Sequence, residues 1–326
     1  MTLKVRTMAD FLEANESPDI LFWVGCAGSF DQRAQKITKA VAKILNSCNI
    51  SFAVLGTEEN CNGDPAKRAG NEFLFQMQAL MNIQIMNGYN ISKIVTACPH
   101  CFNTLKNEYP QLGGHYEVIH HSMLLQQLIN DGKLIVNGGK FLGKKIVFHD
   151  PCYLGRGNDV YEAPRDVIKK LDAELFEMKR SRANGFCCGA GGAQMFKEPE
   201  NGTKDINIER TEEILETKPD YVAVGCPFCM TMLTDGVKNF NKEDSVKVLD
   251  IAELIEDKKK KEIEKFVHNW ESEGISVQKA RWGRFNLIKG KTKIELPKTT
   301  DVESFTLEQA KKLIEEKKPT KKTKKK

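Results

Sequence analysis

The chain has 326 residues, of which 40% are hydrophobic and 29% charged, a composition typical of a soluble globular protein with about two domains. No stretch approaches the roughly 20 apolar residues of a membrane span, and the first 19 residues lack the apolar core of a signal peptide. The net charge of +5 arises from the last ten residues, which hold seven lysines and no acid, whereas residues 1–316 carry a net charge of −2. This distribution argues against a specific nucleic-acid partner and predicts a solvated, disordered lysine-rich end.

The first half of the chain predicts alternating strands and helices. Short apolar runs with β-branched and aromatic members indicate buried strands, and segments with a period of 3.6 residues indicate helices. Strands are predicted at 20–25, 50–55, 93–97 and 116–120, and helices from Asp31 onward, from about Pro65 to Gly88, and over 123–129. Pro65 is a typical first-turn residue, and Gly88 is a typical stop signal.

The second half repeats this order. Strands are predicted at 144–149, 174–179 and 221–225, helices at 161–171 and 207–217, and a last strand and helix within 246–255. Each half is therefore a β-α-β-α-β unit, which predicts an α/β protein made by tandem duplication of a Rossmann-like domain of about 120 residues. The predicted domains are an N-terminal extension (1–19), two cysteine-rich domains (20–140 and 141–256) and a charged, helical appendage (257–326).

Nine of the ten cysteines fall into two copies of one pattern. The first copy consists of Cys26, Cys61, Cys98 and Cys101, and the second of Cys152, Cys187, Cys188, Cys226 and Cys229. In both copies 35 positions separate the first cysteine from the second, and the copy ends in Cys-Pro-X-Cys. Four of these cysteines follow predicted strands, and ligands bind at that edge of a parallel sheet. Cys48 lies outside the pattern and is predicted to be a core residue.

Patterned cysteines in a long chain without an export signal indicate metal binding or redox chemistry. Four thiolates suit a tetrahedral zinc ion or a cubane iron–sulfur cluster. The second copy offers five, so either one is idle or one bridges two irons in an opened, non-cubane cluster, and counting leaves both possibilities open. The first copy has Asn62 where the second has Cys188, and its four cysteines suffice for zinc or a regular four-iron cluster.

The loop around the paired cysteines is rich in glycine, with Gly189 directly after Cys188. Glycines let the backbone approach a bulky anion, so that N–H groups can bond sulfide and thiolate. His149 lies three residues before Cys152, where it could orient a ligand or donate a proton, or could be a satisfied strand-end histidine. Arg156 could hold an anionic substrate or partner, or balance the charge of a cluster.

These motifs resemble the CCG cysteine-rich domain family. The resemblance covers residues 20–256 and rests on His149-Asp-Pro-Cys152, on Cys187-Cys-Gly-Ala-Gly-Gly192, and on segments 63–78 and 96–110. Two copies of the domain form the catalytic subunit of heterodisulfide reductases, and relatives serve as iron–sulfur subunits of glycolate, lactate and glycerol-3-phosphate oxidoreductases. The chain looks most like bacterial members linked to electron-transfer flavoprotein and quinone oxidoreductases.

In that family the complete motif binds a non-cubane [4Fe-4S] cluster that cleaves or forms a disulfide. The resemblance implies that the same cofactor is held by Cys152, Cys187, Cys188, Cys226 and Cys229, with Gly189 beside it. It also implies a catalytic role for Cys187 and Cys188, together with His149. The departure at Asn62 argues against an identical cluster in the first domain, where zinc or a second iron–sulfur cluster is expected.

We therefore expect an iron–sulfur oxidoreductase subunit, active within a complex. It would exchange electrons with a small disulfide, or carry them between a flavoprotein dehydrogenase and a membrane-bound quinone-reducing partner. The sequence has no dinucleotide fingerprint and no compact ferredoxin motif, so electrons are expected from another subunit with flavin, ferredoxin-type clusters or haem. The expected location is cytoplasmic, or peripheral at the inner membrane face through a partner. The alternative is a zinc-stabilised scaffold or redox-sensing binding protein.

Overall fold

The structure, a computed structural model, describes residues 3, 5–136, 141–198, 201–256, 266–279, 284–290, 292–297, 300, 302 and 305–316. The chain divides into two compact units, Met1–Glu256 and Asp257–Lys326. Among the described residues no helix combines the length and the apolar character needed to cross a bilayer. Both cysteine copies lie in the first unit, which is an α/β structure with two parallel sheets.

The first sheet has the strand order β1-β3-β2-β4-β5, and all of its pairs are parallel. Its strands are β1 (Arg6–Thr7), β2 (Ile20–Trp23), β3 (Phe52–Val54), β4 (Lys93–Thr96) and β5 (Glu117–His120). Every residue of β2 is buried, as is typical of a parallel strand covered by helices on both faces. The segment predicted as an N-terminal extension contributes β1, which pairs with β3 at the sheet edge.

The helices of the first half connect these strands. They are α1 (Met8–Glu13), α2 (Gly25–Phe30), α3 (Ala34–Ser47), α4 (Asp64–Arg68), α5 (Glu72–Gly88), α6 (Pro99–Asn103) and α7 (His121–Asn130). The prediction of one helix from Pro65 to Gly88 is wrong. Gly70 adopts φ +88° and ends the first segment, and the Asn71 side chain then caps α5 by accepting a hydrogen bond from the Leu74 N–H at 3.0 Å.

The second sheet has the order β7-β6-β8-β9 and is also fully parallel. Its strands are β6 (Lys145–Phe148), β7 (Glu174–Phe176), β8 (Tyr221–Val224) and β9 (Lys247–Asp250), and its helices are α8 (Glu162–Lys169), α9 (Ile206–Glu216), α10 (Pro227–Asn239) and α11 (251–256). This order matches β3-β2-β4-β5 of the first sheet. Two sheets with the same crossovers are what a tandem duplication produces.

The strand order explains where the cysteines lie. In each sheet the second strand of the repeat lies on one side of the first, and the third lies on its other side. Such a reversal opens a crevice at the carboxyl ends of the first and third strands, where ligands bind in open α/β sheets. In the first sheet that crevice lies at the ends of β2 and β4, and in the second at the ends of β6 and β8. One patterned cysteine follows each of these four strands.

The two halves of the first unit share one hydrophobic core. Trp23 in the first sheet and Phe148 in the second are both fully buried within it. A two-pronged ion pair also joins the halves, since both terminal nitrogens of Arg33 donate to the Glu253 carboxylate at 2.8 Å. The halves therefore pack as one body.

The second unit is described by itself. Its strands β10 (Phe266–Trp270), β11 (Ile275–Lys279), β12 (Phe285–Lys289) and β13 (Thr292–Glu295) form an antiparallel sheet in that order, followed by α12 (Leu307–Glu316). The prediction of a helical appendage is wrong where these strands lie. Their apolar residues alternate, so that Val277 and Leu287 pair on the buried face. The predicted capping box of α12 is present, between Thr306 and Gln309. The predicted disordered lysine-rich end lies outside the described residues.

The Arg165 guanidinium is fully buried and forms two hydrogen bonds each with Asp150 (2.7 and 2.9 Å) and Glu177 (2.6 and 2.8 Å). Asp150 begins the turn that leads to Cys152, so this ion pair fixes that turn. Because Arg165→Ala leaves the buried Asp150 carboxylate without its cation, we expect the free energy of unfolding to fall by about 3–5 kcal/mol.

Urea denaturation of the purified chain measures this change. Lys93→Ala, which removes a solvent-exposed pair with Glu117 (2.9 Å), is the control and should cost less than about 1 kcal/mol. Equal losses in the two variants would contradict the role given to Arg165.

Candidate metal centres

The patterned cysteines gather at the carboxyl edges of the two sheets, and none of the ten cysteines forms a disulfide. The first group contains Cys26 on α2, Cys61 in the loop before α4, and Cys98 and Cys101 at the start of α6. The second contains Cys152 after β6, Cys187 and Cys188 in the glycine-rich loop, and Cys226 and Cys229 at the start of α10. The fold thus assembles both sets that the sequence predicted to act together.

Within the first group the thiols hydrogen-bond to one another. A hydrogen bond from Cys26 lowers the pKa of Cys61 to about 7, and the same bond, with burial, holds the pKa of Cys26 well above its usual value. Burial raises the pKa of Cys98, but hydrogen bonds from Cys101 and Cys226 outweigh it and leave this pKa well below its usual range. Thiolates thus form at two of the four positions, and thiolates are the form that binds metal.

The second group forms a continuous chain of thiol contacts through Cys152, Cys187, Cys188, Cys229 and Cys226. Hydrogen bonds from Cys152 and Cys188 hold the pKa of Cys187 far below its usual value, and the same contact raises that of Cys188 to about 12. The backbone N–H of Gly189 donates to the Cys187 sulfur at 3.3 Å. The glycine turn therefore brings a main-chain donor to a thiolate.

His149 is buried beside the second group. Its ligand atom and those of Cys188 and Cys229 lie within 4.8 Å of one another. The Arg210 side chain donates to its Nδ1 at 3.1 Å, which assigns the ring proton of a neutral His149 to the other nitrogen. Burial, aided by the charge of Arg210, lowers the pKa of His149 to about 3, so the ring is neutral near pH 7. Its catalytic role stays a prediction.

The two groups meet at the junction of the two halves. The thiols of Cys98 and Cys226, one from each group, lie in hydrogen-bond contact. Beside them the His100 ring packs against Tyr153 and Phe228 of the second half, with ring centroids 4.7 and 4.9 Å apart. The nine cysteines therefore form one connected array. Sequence spacing alone could not predict this contact.

A buried histidine pair holds this junction together. His120 Nε2 lies 3.0 Å from the carbonyl of Gly225, the residue before Cys226. His121 contacts His120 at 3.1 Å through Nδ1 and the Asp250 carboxylate at 2.9 Å through Nε2. Both histidines come from the first half, whereas Gly225 and Asp250 come from the second. The network fixes the strand end before Cys226 against the first half, a role that the sequence analysis did not assign.

Glu59 is a second residue that the sequence analysis missed. Its carboxylate accepts hydrogen bonds from the N–H groups of Val24 (3.0 Å) and Gly25 (2.5 Å), which lead into Cys26. Part of the Glu59 residue reaches solvent, but its carboxylate is enclosed, and this burial raises its pKa to about 7. An acid two positions before Cys61, in a loop at a strand end, is the signal that was available.

The paired turns of the two copies have the same backbone conformation. Gly63 has φ +88° and Gly189 has φ +92°, so Cys61-Asn62-Gly63 and Cys187-Cys188-Gly189 are equivalent turns. Asn62 therefore occupies the place of Cys188. Two other predicted residues have ordinary roles. Cys48 lies at the end of α3 with its thiol 3.9 Å from the Ser47 hydroxyl, away from both groups, and Arg156 hydrogen-bonds the Gly185 carbonyl.

Comparison with protein families matches the cysteine-rich domain model, CCG, to residues 20–106 and 146–234. The chain belongs to the CCG cysteine-rich domain family. The matched segments contain both cysteine groups and both sets of central strands. A separate model, the topoisomerase C-terminal repeat, matches residues 268–325, which include the strands β11–β13 and helix α12.

Three relatives show how this CCG pair occurs in larger proteins. The chain is 44% identical over 258 residues to an EtfAB:quinone oxidoreductase of Syntrophomonas wolfei, and 46% identical over 253 residues to the probable iron-sulfur-binding oxidoreductase FadF of Bacillus subtilis. Each match covers 77% of this chain and 36% of the relative. The third relative belongs to the dihydromethanophenazine:CoB–CoM heterodisulfide reductase of Methanosarcina barkeri, and the match to this one subunit is 34% identical over 251 residues, covering 75% of this chain and 60% of the relative. The chain thus spans about a third of the first two relatives.

Gly63 and Gly70 allow a matched test of the turn that holds Cys61. Both have φ +88°, but a Cβ at Gly63 would lie 2.7 Å from the Phe75 ring, whereas a Cβ at Gly70 would meet nothing within 4 Å. Gly70→Ala should cost about 1–2 kcal/mol for the left-handed conformation alone. Gly63→Ala should cost about 2–5 kcal/mol, because overpacking adds to that strain.

Urea denaturation of both variants gives the two free energies. The prediction also requires that Gly63→Ala lower the metal content of the chain after anaerobic purification while Gly70→Ala leaves it unchanged. If the two variants lose the same stability and bind the same metal, the Gly63 turn does not support the first group.

Proposed function

We propose that this chain is an iron–sulfur oxidoreductase subunit that passes electrons through two linked sites, one in each Rossmann-like half. The observation that carries the proposal is the contact between the Cys98 and Cys226 thiols. A structural zinc site needs no contact with a second cysteine group, whereas an electron-transfer chain requires short separations. The family and the oxidoreductase relatives support this function.

The donor set of the second group fits a [4Fe-4S] cluster, which we propose to be non-cubane. A tetrahedral zinc ion takes four ligands, and this group brings five thiols into mutual contact. The residues that would hold it are Cys152, Cys187, Cys188, Cys226 and Cys229. Arg210 supports an anionic occupant, because its guanidinium is buried behind His149 and its Nη2 has no hydrogen-bond partner among the described residues. Such a cluster supplies one-electron chemistry next to a thiol site.

The residues of the chain have separate tasks around that position. The Gly189 N–H donates to Cys187 and favours its thiolate. His149, neutral and fixed by Arg210, presents its second nitrogen towards the cysteines, and we propose that it donates a hydrogen bond or a proton to sulfur. The Asp150–Arg165 pair holds the turn before Cys152. These contacts set the geometry before any partner binds.

The first group, Cys26, Cys61, Cys98 and Cys101, suits a regular four-iron cluster or a zinc ion. We propose the iron–sulfur cluster, because a redox-inactive ion beside Cys226 would leave the junction without a function. The first group would then exchange electrons with a partner, and the second would be the reactive site. Two copies of one domain would thus have unequal roles.

For the whole reaction we propose electron transfer from a flavoprotein to a quinone-reducing membrane partner, with the chain at the inner face of the membrane. This choice rests on the relative named EtfAB:quinone oxidoreductase, which at 44% identity is closer in sequence than the heterodisulfide reductase relative at 34%. The second candidate is reduction of a small disulfide, in which two electrons and two protons convert one disulfide to two thiols. The five-thiol group favours it.

Metal analysis of anaerobically purified protein tests the proposal. We expect iron and acid-labile sulfide, and we expect Cys188→Ser to remove the electron paramagnetic resonance (EPR) signal of the second site because it removes one of five sulfur ligands. Cys48→Ser is the control, since Cys48 is outside both groups, and it should leave iron, sulfide and signal unchanged.

Zinc without iron or sulfide would overturn the proposal and favour a zinc-stabilised scaffold or redox-sensing protein. Loss of the signal in both variants, with circular dichroism showing folded protein, would overturn the ligand assignment.

A further inference from the structure

Asn62 has a buried amide whose two ends have different surroundings. The residue is 4% exposed, and its Oδ1 accepts a hydrogen bond from the Asp64 N–H at 2.9 Å. Its Nδ2 has no hydrogen-bond partner among the described residues. Because the Asp64 N–H can only donate, it must face the amide oxygen, and this settles which end is the NH₂ group. A buried donor left without an acceptor costs about 1–3 kcal/mol, so an acceptor is expected at this position.

The Asn62 side chain lines the cleft that also contains the sulfurs of the first group. Cys26, Cys98 and Cys101 are among the residues of this cleft. The other polar side chains there are already paired, since Asp64 bonds His100 at 2.8 Å and Arg68 at 3.0 Å. The acceptor that suits the Nδ2 group is therefore the sulfur-rich occupant of the four cysteines.

The backbone around Asn62 is held from outside the cleft. The Tyr109 hydroxyl donates to the Asn62 carbonyl at 3.2 Å, and the Asn82 amide donates to the Cys61 carbonyl at 3.0 Å and to the Tyr109 oxygen at 3.2 Å. The Gly63 turn allows no Cβ, as described above. The NH₂ group of Asn62 therefore has a fixed position before any occupant binds.

The equivalent residue in the second copy is Cys188. The same left-handed turn thus presents a fifth thiol in one copy and a neutral hydrogen-bond donor in the other. A thiolate adds a ligand and a negative charge to an iron–sulfur cluster. An amide N–H instead stabilises the reduced cluster, whose sulfurs carry more negative charge, and this raises the reduction potential.

We propose that Asn62 donates a hydrogen bond to sulfur of an iron–sulfur cluster held by Cys26, Cys61, Cys98 and Cys101, and so raises its reduction potential. This inference rests on the proposed function of the first group as an electron-carrying site. Asn62 is a positioning residue and takes no part in bond making. The single change from cysteine to asparagine would adapt one copy of the domain to hold an electron and leave the other as the reactive copy.

Redox titration of the full chain, followed by EPR, tests the inference. Asn62→Leu keeps the side-chain volume and Asn62→Ala does not, but both remove the amide. We expect the midpoint potential of the first site to fall in both variants, with that of the second site unchanged. Asn60→Leu is the matched control, because Asn60 lies in the same loop but is exposed, and it should behave as the wild type.

Pulsed EPR of the wild-type protein labelled with ¹⁵N in its asparagine side chains gives a second measurement that needs no stable variant. We expect a ¹⁵N coupling in the first-site signal, and we expect it to remain in Asn60→Leu. An unchanged potential in both Asn62 variants, or no ¹⁵N coupling, overturns the role of Asn62. A wild-type first site with no redox signal overturns the proposed function of that site as well, so the two failures are distinguishable.

Discussion

The structure depends on the meeting of Cys98 and Cys226 where the two halves of the first unit join. Each cysteine follows the third strand of its repeat, so the contact exists only if both sheets present their carboxyl edges to each other. The shared core and the Arg33–Glu253 ion pair hold the halves together, and the His120–His121 network fixes the chain just before Cys226. Without this junction the protein would contain two separate cysteine groups, and a path for electrons would have no physical basis.

The duplication provides two equivalent turns, and their difference follows from one side chain. Gly63 and Gly189 impose the same backbone, so the residue before each glycine is presented to its cysteine group in the same way. Cys188 joins a chain of five thiols, whereas Asn62 presents an amide NH₂ group that has no partner among the described residues. The supporting residues differ as well, since Glu59 holds the strand end of the first copy and the Asp150–Arg165 pair holds the turn of the second.

Sequence patterns predicted the strands of the first unit because β2, β4, β6 and β8 are apolar runs buried by helices on both sides. The cysteine spacing likewise identified both groups, since strand-end residues of parallel sheets converge. Helix α10 was missed because its first turns are buried and lack a polar face. The strands of the second unit were missed because charged residues obscure their alternation. Contacts such as His121–Asp250, between residues 129 positions apart, have no local signature in the sequence.

The most direct test of the account is EPR of the fully reduced wild-type protein, measured for magnetic interaction between the two sites. The contact between Cys98 and Cys226 predicts that the signals of the two sites broaden or split each other. The interaction should disappear when only one site is reduced. Two signals without interaction, or a single signal with zinc bound in the first group, would contradict the claim that the two sites form one electron-transfer path.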